Sequence, residues 1–177
     1  MNATLLRIGC AAWMGLGVLT SAQAQKKPVL SPPAETSQTV DGKTVSIKYS
    51  APSMRGRKIF GGLVPYDHWW RTGANPATTL KTEVNLKIGD ANVPAGTYTL
   101  YTIPSESTWK LIINKQTGQW GTVYNQNQDL ARVDMKKETL SSPQEVMSIT
   151  LEPFQGKQST LHIRWETTDV SVPVVAE

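Results

Sequence analysis

From Thr36 onward apolar and polar positions alternate with a period of two in run after run, and no long stretch carries the 3.6-residue apolar stripe of an amphipathic helix. Val45, Ile47 and Tyr49 share one face of a strand whose other face shows Thr44, Ser46 and Lys48, and Asp41-Gly42 just before them has the composition of a type I′ hairpin turn. Val84, Leu86 and Ile88 repeat the pattern up to Gly89-Asp90, where a tight turn leads through Ala91 to Val93. Pro94-Ala95-Gly96 then redirects the chain into a strand over 97–103, and Trp109, Leu111 and Ile113 make the next one, closed by Gly118. Met147, Ile149 and Leu151 alternate with polar neighbours, Gln155-Gly156-Lys157 turns the chain, and Leu161, Ile163 and Trp165 answer as an antiparallel partner. Val170, Val172 and Val174 form a last short strand, placed on an edge because Pro173 has no amide hydrogen to give a ladder. Seven to nine short strands with one apolar face each need a second layer to cover them. The pattern therefore predicts an all-β antiparallel sandwich, jelly-roll-like, with little or no helix. One segment, 124–140, has two readings: a turn or two of helix, or a loop followed by a strand over 132–137.

The alternation breaks between Ser53 and Thr79, SMRGRKIFGGLVPYDHWWRTGANPATT, which packs guanidinium, indole, phenol and amide groups into a run without a period. Such a segment is either a loop packed over the core or a ligand-facing surface. Arg57 and Arg71 offer planar two-donor forks suited to a carboxylate or phosphate, and Tyr66, Trp70, Trp120 and Tyr124 offer flat faces to a sugar ring or aromatic group. Asn75, biased to extended geometry by the following Pro76, supplies a directional amide. Asp129 and Arg132 read as an ion pair or hydrogen-bonded turn. Together these nine residues are the candidate ligand site, with the 53–79 loop and the 120–132 segment bordering one polar pocket. Against this stands the structural use of the same groups, indoles as core and loop anchors and guanidiniums as partners for loop carbonyls.

The N-terminus changes the picture of where the chain works. Arg7 followed by the apolar run 8–19 and the small-x-small pattern Ala22-Gln23-Ala24 reads as a signal peptide cleaved after Ala24. An apolar run this short falls below the roughly 20 residues of a membrane-spanning helix, so no transmembrane segment is expected and the mature product is periplasmic or extracellular. Residues 25–35, with Lys26-Lys27-Pro28 and Ser31-Pro32-Pro33, read as a tether, leaving 36–177 as one sandwich domain. Cys10 is the single cysteine and leaves with the leader, which excludes disulfides, thiolate metal sites and a cysteine nucleophile. The formal charge of +4 is mild, and with only two phenylalanines there is no basic stacking platform, so nucleic acid is not expected as a partner.

No cofactor or metal is expected either. His68 and His162 are the only imidazoles and have no metal-binding spacing; His162 reads as a solvated strand residue, His68 as a surface one, and Met54 as a loop tip. No Gly-x-Ser-x-Gly elbow or phosphate-binding glycine loop occurs, and Gly61-Gly62 read as turn glycines. What remains is a binding or envelope-associated module for a small anionic or sugar-like ligand. The alternatives are a cofactor-free hydrolase using Asp129 or Asp67 as base, and a structural partner of envelope proteins that pairs sheet edges.

The segments GRKIFGGLVPY, WRTGAN, VPAGTYTLYTIP, WKLIINKQTGQWG and the DLARV that begins at Asp129 together resemble the bacterial domain-of-unknown-function family DUF2911 over nearly all of the mature chain. The resemblance implies a secreted or periplasmic β-rich domain and supplies no catalytic residue.

Overall fold

The structure is a computed structural model that describes residues 29–177; the expected leader and most of the tether lie outside the described residues. Nine antiparallel strands form one sheet in the order β1-β2-β3-β6-β7-β8-β9-β4-β5, which doubles over into two facing layers without closing into a barrel. β1 (Pro33–Val40) and β2 (Lys43–Ser50) are joined at Asp41-Gly42, both with positive φ as a type I′ turn requires. β1 thus begins at Pro33, where the composition suggested tether: Pro33 is the first ladder position, opposite Ser50, where a missing amide costs least. β3 (Thr79–Thr82) continues the layer, and β6 (Gly96–Ile103) and β7 (Trp109–Asn114) extend it. Between β3 and β6 the hairpin of β4 (Leu86–Ile88) and β5 (Ala91–Val93) crosses to the other layer.

β8 (Asp129–Leu151, 23 residues) and β9 (Gln158–Ala176, 19 residues) are far longer than the short strands the turn spacing suggested. β8 starts in the first layer beside β7 and finishes in the second beside β9, so this pair carries the sheet round its bend. Val170, Val172 and Val174 are accordingly the second half of β9 and not a separate edge strand; β4 pairs outside Val174, and the Pro173 carbonyl accepts from Gly89 N at 2.9 Å. The 124–140 segment resolves as a loop with one 3-10 turn, Gln126–Gln128, followed directly by β8.

The bend is made by irregular pairing. Register shifts on β8 lie between Thr139 and Ser148, and opposite them Glu166 takes φ +56, a left-handed conformation unusual for its residue type. Its effect is visible in the burial: Leu161, Ile163 and Trp165 point inward before it, Val170, Val172 and Val174 after it, so the inward positions change from odd to even. Between the layers, Val45, Ile47, Leu80, Leu100, Leu111, Ile113 and Ile149 join these residues in one core, each 2 % exposed or less. No helix among the described residues is long and apolar enough to cross a membrane.

Candidate functional site

The Ser53–Thr79 loop is fixed to the sandwich along its length. Ser53 bridges Val146, and Met54 N donates to Glu145 O at 2.8 Å. The carboxylate of Glu166, turned outward by the bulge, accepts from Ile59 N at 3.1 Å and Phe60 N at 3.4 Å. This brings Ile59 and Phe60, both buried, into the core, where the Phe60 ring meets Trp70, Trp109 and Trp165 edge-on at centroid distances of 5.9, 4.7 and 6.1 Å. Gly62 is required just beyond: a Cβ there would lie 2.6 Å from the Lys58 carbonyl oxygen. Trp70 then exchanges both backbone hydrogen bonds with Thr102 of β6, 2.7 and 2.9 Å, so for one step the loop behaves as a strand. Its two tryptophans therefore part: Trp70 stacks on Trp165 at 5.9 Å, while Trp69 meets Tyr101 and Tyr124 at 5.7 and 4.9 Å.

The loop and the Trp120 segment do touch. Pro76 bridges Trp120, Gly121 N donates to Asn75 O at 3.0 Å, and a Cβ on Gly121 would lie 2.7 Å from Arg71 Cδ, so the arginine stem lies flat on bare backbone. Asn75 has φ +58 and not the extended geometry that Pro76 suggested; asparagine tolerates this region, and its side chain donates to Ser31 O at 3.4 Å. Beside Arg71 opens a cavity of about 270 Å³ bordered by Arg57, Trp70, Arg71 and Trp165, with Leu63, Val64 and Pro65 as its apolar wall. Arg71 donates Nε to Gly73 O, and Arg57 donates Nε to Met54 O and Nη2 to Ser53 O. Neither guanidinium has a carboxylate partner among the described residues. A groove of about 320 Å³ on the outer face of β1, β2 and β3 is larger but is a solvated strand surface of Thr, Ser, Lys and Glu with no apolar wall, and it makes a poorer binding site.

The family model for proteins of unknown function, DUF2911, matches residues 31–174. The chain is a DUF2911 protein. No curated protein and no solved structure matches it.

Of the nine candidate residues of this DUF2911 chain, Arg57, Trp70 and Arg71 border the cavity, while Asn75 and Trp120 flank Gly121, on whose backbone the Arg71 stem lies, Asn75 by accepting from its amide and Trp120 as its chain neighbour. Tyr66 lies apart, its ring over Gly61 and 6.0 Å from Lys137 Nζ. Tyr124, Asp129 and Arg132 do not border the cavity but form a second cluster beside it, where the Tyr124 ring meets Trp69, itself a bordering residue. There the Asp129 carboxylate accepts from Asn114 Nδ2 at 2.8 Å, Tyr124 OH at 2.7 Å and Arg132 Nε at 2.9 Å, while Arg132 Nη2 donates to the Tyr124 oxygen at 2.8 Å. The ion pair expected of Asp129 and Arg132 is present, and the carboxylate serves these three donors. Asp67 is exposed at φ +61 and His68 is exposed. Among the described residues no group of three or more His, Cys, Asp or Glu is placed to hold a metal.

Burial, and next the bond from its hydroxyl to Asp129, push the Tyr124 phenol up to about 12 from its ordinary 10. A tyrosine whose pKa is higher folded than unfolded contributes stability that is complete below pH 10 and lost as pH rises toward 12. Tyr124→Phe is therefore expected to flatten the fall in melting temperature between pH 10 and 12 relative to the parent, a comparison that alkaline thermal melts make directly.

Besides Asn75, two residues depart from their sequence reading. His162 is not a solvated strand residue: its Nδ1 lies 2.9 Å from the buried Asp169 carboxylate, which also accepts from Arg164 Nε at 2.7 Å. Met54 is no loop tip but packs on the core. The sequence did not single out Trp165, read only as strand core, or Leu63, both of which border the cavity, nor Glu166, which anchors its loop; neither Leu63 nor Glu166 carries a periodic signal.

Proposed function

We propose that this DUF2911 domain is an exported binding module that holds a small anionic or sugar-like ligand in the cavity under the 53–79 loop. The observation that carries the reading is the pair Arg57 and Arg71, two guanidiniums without carboxylate partners, at one cavity whose wall is the stacked Trp70 and Trp165. Anchored at Glu145, Glu166 and Thr102, the loop presents these groups already positioned, which limits the ordering cost of binding. Export is supported by the leader-like pattern of residues 7–24.

A thermal-shift screen of the purified protein against organic acids, phosphates, sugars, peptides and metal ions tests the proposal. A ligand at 100 times its Kd stabilises by about 2.7 kcal/mol, a rise of roughly 5 to 10 °C for a domain of this size. Arg71→Ala is expected to abolish that rise while the unliganded melting temperature stays within about 3 °C of the parent. Unfolding by Arg71→Ala, or silence across the whole panel, would end the reading.

A further inference from the structure

The side-chain hydrogen-bonding capacity left over at the cavity is weighted toward donors. Its two charged side chains are donors only, there is no Asp, Glu, Asn or Gln among the bordering side chains, and the Ser31 hydroxyl is the one bordering side chain with an oxygen that can accept. Several of the nearby backbone acceptors are already engaged: Gly73 O by Arg71 Nε, Ser31 O by Asn75 Nδ2, Trp70 O by Thr102 N and Thr72 Oγ1, Pro52 O by Met147 N, and Val64 O by Gly61 N. Donors remain in excess, because among the described residues Arg71 commits only Nε and Arg57 only Nε and Nη2 to protein acceptors. A saccharide, each of whose hydroxyls must donate as well as accept, would leave donors unpaired here, and an unpaired buried donor is costly. An anion accepts at every oxygen and matches this lining.

The rest of the wall bears on the body behind that anion. Leu63, Val64, Pro65, Trp70 and Trp165 are apolar, and Leu63 is 50 % exposed at the rim, an apolar side chain left where a ligand would cover it. About 270 Å³ is just below the roughly 300 to 1,000 Å³ of sites for drug-sized ligands.

Resting on the binding-module reading, we infer that the ligand is a small organic acid with an apolar ring or short chain, its carboxylate on Arg71 and Arg57 and its body against Leu63, Pro65 and Trp70, and that it is not a saccharide. Arg71 selects the charge and Leu63 the apolar body.

Calorimetric titration of the full chain with phenylacetate, hexanoate, acetate, phenylacetamide and glucose tests this. Phenylacetate or hexanoate is expected to bind at least tenfold more tightly than acetate, which lacks the body, and phenylacetate at least tenfold more tightly than phenylacetamide, which lacks the charge. Glucose is expected not to compete. Arg71→Gln should erase the preference for phenylacetate over phenylacetamide, and Leu63→Ser, at an exposed position that folding does not depend on, should weaken phenylacetate several-fold and leave acetate unchanged. If glucose binds in a way that Arg71→Gln abolishes, or if neither larger acid outbinds acetate, the inference is wrong while the binding module stands. If neither larger acid binds at all, the inference also fails, and the broader reading then depends on the phosphates, sugars and peptides of the thermal-shift panel.

Discussion

Phe60→Ala is expected to lower the melting temperature by roughly 10 °C or more. The ring is 3 % exposed and sits edge-on to three tryptophans, so truncation removes its burial, three aromatic contacts and the wedge that separates Trp70 from Trp109. Phenylalanine-to-alanine changes at such sites cost about 3–5 kcal/mol, and a domain of this size loses roughly 2–4 °C per kcal/mol. Because Phe60 belongs to the loop and two of its partners, Trp109 and Trp165, to the sandwich, the loss is also a measure of docking: tryptophan emission should shift to the red as Trp70 and Trp165 gain water. Phe60→Leu, which keeps most of the volume, should cost less than half as much. A change below about 1 kcal/mol in urea unfolding would mean that the loop contributes little to the core.

Asp129→Ala should be the second severe change, costing about 2–4 kcal/mol as a lower urea midpoint with an unchanged slope. Removing the carboxylate leaves Asn114, which is fully buried, short of an acceptor for its amide and strips Tyr124 and Arg132 of their common partner. Arg132 is a third exposed and regains water, so the larger part of the loss belongs to Asn114 and Tyr124. A double-mutant cycle with Arg132→Ala separates the two: coupling well under 1 kcal/mol between Asp129 and Arg132 is expected even though the single change at Asp129 is costly. A near-neutral Asp129→Ala would remove the case for a structural junction and return this carboxylate to the list of reactive groups.

Most of the strands were readable because one face of each is buried, so that Val45 and Ile47, Leu111 and Ile113, or Ile149 and Leu151 stand at every second position. β3 was not, since Thr79–Thr82 carries a single leucine and is a strand only because β2 and β6 flank it. Ile59 and Phe60 read as loop between a basic tip and two glycines; what buries them is Glu166, 107 and 106 residues further along, and no local pattern records so distant a contact. The same residue explains His162. Alternation assigns 162 and 169 to opposite faces, but one residue taken up by the bulge at 166 puts both on the outer face, where they bond. At the site, the residue types Arg57, Trp70 and Arg71 were legible as chemistry. That Tyr124, Asp129 and Arg132 stand one ring further out, with Tyr124 against Trp69, was not, because it depends on which ring of the Trp69-Trp70 pair meets Tyr124 and which stacks on Trp165.

The unclosed sheet has a consequence for how the molecule meets others. Its outer rims are the places where a foreign strand would add, and both are blunted. Along β1, Thr36 Oγ1 accepts from Leu151 N at 3.1 Å and Gln38 Nε2 donates to Leu151 O at 3.1 Å, so side chains occupy the margin that a templated ribbon would need; the opposite rim, β5, offers three residues. Such margins discourage polymerisation through main-chain pairing.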